Sequence, residues 1–386
     1  MLNFDYYNPT HIVFGRDRLQ ELDKLVPKAA RVLILYGSGS VKKYGTLAKV
    51  VAALEGRTLV EFGGIEANPR FPTLMQAVTV VRQQKIDFLL AVGGGSVMDG
   101  TKFIALAAKF PGEKPEELLF HGFQYVPQDE ALPLGTVVTL PATGSEMNNG
   151  AVISYQNGKY PVLSPLVFPK FSILDPTLTF TLPPTQVANG VVDSFIHVVE
   201  QYVTYPTGAL FQDRTAEGIL QSLIEIGRKT IDHPEDYETR ANLVWNATMA
   251  LNGLIGAGVP QDWSIHMIGH ELTALFGIDH AKTLAIVLPV MWQRRRAEKG
   301  DKLLQYAERV WGIREGDRDR RIDLAIERTR HFFESLGIKT RLSDYGVTAD
   351  RFDEVIAGLA DKGLTALSER QDLTLDGCRQ ILQDAL

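Results

Sequence analysis

The sequence predicts an α/β domain built on a mostly parallel sheet (residues 1–180), followed by an all-α domain (residues 181–386). Three observations lead there. Through the first half, short apolar runs rich in β-branched residues alternate with longer amphipathic stretches, the pattern of βα units. Two of these runs end in glycine turns that open a helix. After Asp175-Pro176 the apolar residues recur at three- and four-residue spacing and strand-like runs become rare. The segment TLTFTLPP combines turn residues with this change of pattern and sets the boundary near Leu178–Pro184. A chain of 386 residues, 45% of them hydrophobic, is long enough to bury two cores.

Taken in order, strands are expected at Arg31–Tyr36, Thr58–Phe62, Phe88–Val92 and Leu134–Leu140, with Phe171–Leu174 closing the region. Between them, Val41–Leu54, Pro72–Gln84 and Val97–Lys109 read as helices. In the second half, Gln186–Val203 and Asp262–Leu275 have helical periodicity. The basic run Gln293–Lys299 (QRRRAEK) reads as a solvated helix face rather than a nucleic-acid patch.

Composition narrows the function classes. A formal net charge of -6 gives no basis for a nucleic-acid or anionic-membrane partner. No segment approaches the roughly 18 uninterrupted apolar residues of a membrane span, and MLNFDYYNPT does not have the pattern of a signal peptide. The cytoplasm is the expected compartment. The single cysteine, Cys378, excludes an internal disulfide framework and any zinc site built from several thiolates, so a metal has to be held by nitrogen and oxygen.

The run Phe88–Val92 leads into Gly93-Gly94-Gly95-Ser96-Val97-Met98-Asp99. A strand, a glycine turn and a helix in succession point backbone N–H groups and a helix N-terminus at one spot, which suits a pyrophosphate. The simpler alternative is a tight turn in which Ser96 caps the helix and Asp99 completes a capping-box-like pair. A second turn, Gly37-Ser38-Gly39-Ser40, follows Arg31–Tyr36. No acidic residue stands there to bind ribose hydroxyls, and Lys42 and Lys43 follow, so the 2′-phosphate of NADP fits this corner better than NAD does. The sheet expected is Rossmann-like, although Gly93-Gly94-Gly95 is not the G-x-G-x-x-G of the usual dinucleotide fold.

Asp193 and His197 are four apart on one helix face among apolar neighbours, and a buried carboxylate and imidazole need a partner such as a cation. His266 and His270 repeat the spacing on a second helix, and His280 follows the turn at Gly277–Asp279. Three imidazoles and a carboxylate suit zinc or ferrous iron and suit calcium or magnesium poorly. Spacing alone leaves open whether His270 or His280 completes the set.

GGGSVMDGTK, TLPATGSEMN, NGVVDSFIHVVEQY and the H-x3-H pair with a further histidine fourteen residues beyond its first together resemble the iron-type, group III alcohol dehydrogenases. The likeness covers essentially the whole chain, and the branch it most resembles is the NADPH-dependent aldehyde reductases and butanol dehydrogenases. The resemblance implies the architecture those enzymes share with dehydroquinate synthase. It implies one divalent ion, Zn2+ or Fe2+, on Asp193, His197, His266 and His280, with His270 beside the site and not needed for coordination. By sequence His270 is the nearest titratable candidate to give the product alkoxide its proton, with a water or cofactor-hydroxyl relay as the competing route. The resemblance places the pyrophosphate and nearby ribose of NADP(H) on Gly94, Gly95, Ser96 and Asp99, beside the Gly37, Ser38, Gly39 and Ser40 turn read above as the corner for its 2′-phosphate. Thr139, Leu140, Thr143 and Ser145 would line the nicotinamide pocket, with Asn68 and Lys159 approaching the cofactor. Where many relatives have a second threonine this chain has Leu140, which can contribute only its backbone. NAD-using relatives have Asp at the position of Gly39. The substrates implied are short- to medium-chain aldehydes and primary alcohols, and the implied assembly is a homodimer. A dehydroquinate-synthase-like lyase and a cofactor-binding protein without turnover are the alternatives. The first would need a basic pocket, and the segments around Asp193 and His266 offer few cations.

Overall fold

The computed structural model describes residues 1–386. Eight strands lie in the first half: His11–Phe14 (β1), Arg31–Tyr36 (β2), Thr58–Phe62 (β3), Phe88–Gly93 (β4), Leu134–Val138 (β5), Gly150–Tyr155 (β6), Gly158–Leu163 (β7) and Phe171–Leu174 (β8). Six of them form one sheet in the order β1-β8-β5-β4-β2-β3, every neighbouring pair parallel. Successive side chains of a strand point to opposite faces, and here both faces are covered. Leu33, Leu35, Leu89 and Ala91 enter one core, and Val32, Ile34, Leu90 and Val92 enter the other. This explains why β2 and β4 read as continuous apolar runs, whereas the edge strand β3 is only partly buried.

From β2 the chain moves outward to β3 and then returns to lay β4 on the other side of β2, with Tyr36 beside Val92. The carboxyl ends of β2 and β4 therefore sit side by side where the winding reverses, the usual place for a ligand in such a sheet. Both glycine turns are at those ends.

Several expectations need correction. The helix expected over Val41–Leu54 is two helices, Ser40–Lys43 and Thr46–Ala53, because Gly45 takes φ 78° between them. The helix after β4 begins at Gly95, and its N-cap, Gly94, makes no side-chain cap. The capping box of Ser96 and Asp99 is absent: Ser96 Oγ accepts from the Asn68 N–H instead. β1 and the β6–β7 hairpin were not foreseen.

The chain divides into two compact units, each discontinuous in sequence. One comprises Tyr7–Leu182 and Pro234–Thr248, and the other comprises Met1–Tyr6, Pro183–His233 and Met249–Leu386. The returning segment 234–248 belongs to the sheet unit, where Trp245 packs edge-on against Phe14 at 5.9 Å. A split into residues 1–180 and 181–386 contains neither exchange.

The second unit is helical apart from one short antiparallel pair, Ala366–Leu367 with Leu373–Thr374. Its helix Pro184–Tyr202 is buried along nearly its whole length from Val187 on. The basic run is a solvated face only in part: Gln293, Arg294 and Ala297 are exposed, but two of its cations are buried. Lys299 is 2% exposed and bonded to Asp262 and Glu369, while Arg295 is buried beside Glu298 and Asp372. No helix is long and apolar enough to cross a membrane.

Candidate functional site

The buried helix Pro184–Tyr202 presents Asp193 and His197 one turn apart, and the next turn of the same face adds Glu200. The helix Ser264–Phe276 carries His266 and His270. It ends at Gly277, whose φ of 67° turns the chain so that His280 opens the helix His280–Arg294. These two helices pack closely at Gly269, where a Cβ would meet Leu284 Cδ2 and Thr283 Oγ1 at 2.8 Å. Thr283 Oγ1 lies within bonding distance of the carbonyls of Gly269 (3.1 Å) and His280 (2.7 Å), which fixes the start of one helix against the middle of the other.

The result is a convergence of donors. Asp193 Oδ1 lies 3.7 Å from His197 Nε2, 3.9 Å from His266 Nε2 and 3.8 Å from His280 Nε2. Asp193, His266 and His280 each offer a ligand atom within 4.8 Å of the others. Asp193 Oδ1 is buried and accepts no hydrogen bond. An ionised carboxylate oxygen in that state is costly, and a cation is the natural complement. Tetrahedral bonds of 2.0–2.2 Å place donors about 3.4 Å apart, so the present spacing accepts an ion with small adjustments. The residues fit a divalent metal of the zinc or ferrous type.

His270 is brought to the same place by a different contact. Its ring centre is 4.9 Å from His280 and 6.1 Å from His266. The sequence reading missed Glu200 and Trp263. Glu200 Oε2 bonds to His266 Nδ1, and its Oε1 accepts from the Ile265 N–H at 2.8 Å. Burial, with the charge of Asp262 beside it, pushes the Glu200 carboxyl well above the ordinary carboxylate range. A carboxyl on Nδ1 orients the ring and leaves Nε2 facing Asp193. The spacing 193, 197, 200 on one helix face was the available signal. Trp263 packs edge-on over His266 at 5.4 Å.

In the sheet unit, Gly37, Ser38 and Gly39 form the turn after β2, and Ser40 starts the next helix. Gly39 has φ 112°, a backbone region that side chains rarely adopt, so its identity has a conformational as well as a chemical basis. Lys42 Nζ is 3.2 Å from Glu61 Oε2, to which Tyr36 Oη also donates at 3.1 Å. Gly94, Gly95 and Ser96 follow β4. A Cβ on Gly95 would fall 2.4 Å from Thr143 Cγ2 and one on Gly94 would fall 3.0 Å from Leu140 Cβ, so these glycines admit the Thr139–Thr143 loop. The Thr139 N–H donates to the Gly93 carbonyl at 3.0 Å, continuing the ladder of β5 onto β4. Lys159 Nζ donates to Asn68 Oδ1 at 2.9 Å, and Asn68 in turn reaches Ser96. Asp99 differs from the rest: Ser145 Oγ donates to its Oδ1 at 2.7 Å, and the Val152 N–H donates to its Oδ2 at 2.9 Å.

Residues 9–176 match the family described as iron-containing alcohol dehydrogenase, and residues 187–386 match its C-terminal part. The chain is 56% identical to the NADPH-dependent aldehyde reductase YqhD of Escherichia coli, with all of both chains covered. It is 42% identical to a probable NADH-dependent butanol dehydrogenase of Bacillus subtilis, over 94% of each. Among solved structures, that of Escherichia coli YqhD superposes with a TM-score of 0.98, covering 100% of this chain and 99% of the other at 56% identity. An NADH-dependent butanol dehydrogenase A from Thermotoga maritima gives 0.94, with the same coverage at 34% identity.

Proposed function

Because this chain belongs to the iron-containing alcohol dehydrogenase family, we propose that it is an NADP(H)-dependent aldehyde reductase and alcohol dehydrogenase. Its substrates are short- to medium-chain aldehydes and primary alcohols. The convergence of three imidazole Nε2 atoms on the unbonded Asp193 Oδ1 carries this reading. Asp193, His197, His266 and His280 hold one divalent ion, and a set of three nitrogens and one oxygen suits Zn2+ or Fe2+. When bound, the ion supplies Lewis-acid polarisation of a carbonyl oxygen, and the nicotinamide supplies the hydride.

The chain's own groups do the rest. Glu200 holds the Nδ1 side of His266 and so commits Nε2 to the metal. His270 lies next to two of the ligands and gives the product oxygen its proton. Gly37–Ser40, Gly94–Ser96, Asn68 and Lys159 receive the dinucleotide at the reversal point of the sheet, and Thr139, Leu140, Thr143 and Ser145 line the nicotinamide end. The missing carboxylate at Gly39 and the likeness to an NADPH-dependent relative favour NADP(H) over NAD(H). A homodimer is the family-based part of the reading, tested by light scattering on the purified protein, and the cytoplasm is its proposed compartment.

Following the absorbance of NADPH with butanal, then of NADH, then of NADPH after chelation, tests the whole. We expect consumption that favours NADPH and ceases on metal removal. Preference for NADH overturns the cofactor assignment, and full activity without metal overturns the centre. Elemental analysis of protein purified without added metal, beside activity restored by each ion, separates zinc from iron.

A further inference from the structure

The helix Gly95–Lys109 carries Asp99 and Lys102 three residues apart and so on neighbouring positions of one face. Both engage the same segment. Asp99 accepts from Ser145 Oγ at 2.7 Å and from the Val152 N–H at 2.9 Å, while Lys102 Nζ donates to Asn148 Oδ1 at 2.9 Å and to the Gly150 carbonyl at 2.8 Å. The grips are nested along the chain: Asp99 holds 145 and 152, and Lys102 holds 148 and 150 between them. Asn148 extends the hold backward, its Nδ2 donating to the Gly144 carbonyl at 2.9 Å.

Lys102 is completely buried and its ammonium meets only this segment's acceptors in hydrogen bonds. Burial pushes it down to about 8, against the pull of Asp99 and Glu146. Replacing a buried charge by an apolar side chain of its size is often neutral or stabilising, so stability alone gives little reason for a lysine here. Ser145–Gly150 contains only a short 3-10 turn, Ser145–Met147, and has no extended ladder of its own before β6. On its two sides lie the groups that face the glycine turn: Thr143, packed over Gly95, and Lys159, bonded to Asn68.

We propose that Lys102, with Asp99, is a positioning residue: the pair clamps Ser145–Val152 and so holds Thr143 and Lys159 in place for the nicotinamide cofactor without touching it. Asp99 thereby has an inward role instead of the cofactor contact that the family resemblance implies. The inference rests on the reading of Thr143 and Lys159 as cofactor-facing.

The test uses full-length, metal-loaded protein with Lys102→Met, Asn148→Ala and the double substitution. NADPH is titrated by quenching of protein fluorescence, beside kcat, KM for NADPH and for butanal, metal content and thermal unfolding. We expect the dissociation constant and KM for NADPH to rise about tenfold or more in each single variant, the scale of one lost charge-assisted hydrogen bond. KM for butanal and metal content stay unchanged. The double variant adds little to either single one, because both open the same clamp. A purely structural role lowers the melting temperature while the folded variants bind NADPH as wild type does, and that result overturns the proposal. Should Lys102→Met not fold, Asn148→Ala decides alone, and unchanged NADPH affinity overturns the clamp. Wild-type protein that fails to bind NADPH removes the premise as well, whereas wild-type binding with unaltered variants overturns the clamp only.

Discussion

Gly269 is the place where a single methyl group tests how the metal donors are brought together. Its helix meets the helix that begins at His280, and a Cβ there would lie 2.8 Å from both Leu284 Cδ2 and Thr283 Oγ1. To restore ordinary contact near 3.4 Å the Leu284 and Thr283 side chains have to give by roughly 0.6 Å, and the short Thr283 can do so only by leaving its contacts to Gly269 and His280 or by carrying its helix along. Overpacking of this kind costs about 1–3 kcal/mol. Each kcal/mol lowers the melting temperature by about 2–4 °C in a unit of 150–250 residues. The same displacement strains the Thr283 contacts to Gly269 and His280 and carries His280 away from Asp193. Gly269→Ala should therefore lose both stability and metal. Differential scanning calorimetry of the metal-free protein reads the first, and metal titration against a competing chelator reads the second. If the variant keeps wild-type melting temperature and metal affinity, close helix approach is not what assembles the donor set.

Further substitutions separate the roles within the site. His266→Ala and His280→Ala should each strip the metal and abolish aldehyde reduction, while His270→Ala slows turnover with metal retained; elemental analysis of the purified variants checks this, and full metal in the first two refutes it. Gly39→Asp should weaken NADPH relative to NADH through charge repulsion with the 2′-phosphate, at about 1–3 kcal/mol of backbone strain for a side chain at φ 112°; an unchanged ratio of the two KM values refutes it. Lys102 is held near 8, below an unfolded lysine, so between about pH 8 and 10.4 the unfolded chain binds more protons and stability from this group rises with pH. Wild type should accordingly gain stability relative to Lys102→Met from pH 7 to pH 10 in denaturant titrations, and a constant difference refutes the assignment.

The strands of the sheet interior were legible because burial on both faces leaves no polar alternation: Arg31–Tyr36 and Phe88–Val92 could be nothing else. The four-residue β1 lacked such a signal, since what stabilises it is pairing with the distant Phe171–Leu174, whereas Gly150–Tyr155 pairs with Gly158–Leu163 directly across a tight turn whose Asn157-Gly158 was the available cue. Of the site, helical spacing exposed Asp193 with His197 and His266 with His270. It could not place His280, whose position depends on Gly269 admitting a second helix. Nor could a run of basic residues reveal that Lys299 is buried between two carboxylates contributed from opposite directions along the chain.

That last arrangement bears on how the protein is made. Asp262 precedes the helix of His266 and holds its first turn, accepting from the Ser264 N–H at 2.9 Å, while Glu369 lies over a hundred residues downstream. During synthesis Lys299 leaves the ribosome with only one of its two carboxylates available, and a buried ammonium with one counter-charge too few favours staying in water. The first turn of the His266 helix thus gains the Lys299–Glu369 pair as a fixed neighbour only once Glu369 has been synthesised, more than a hundred residues after Asp262.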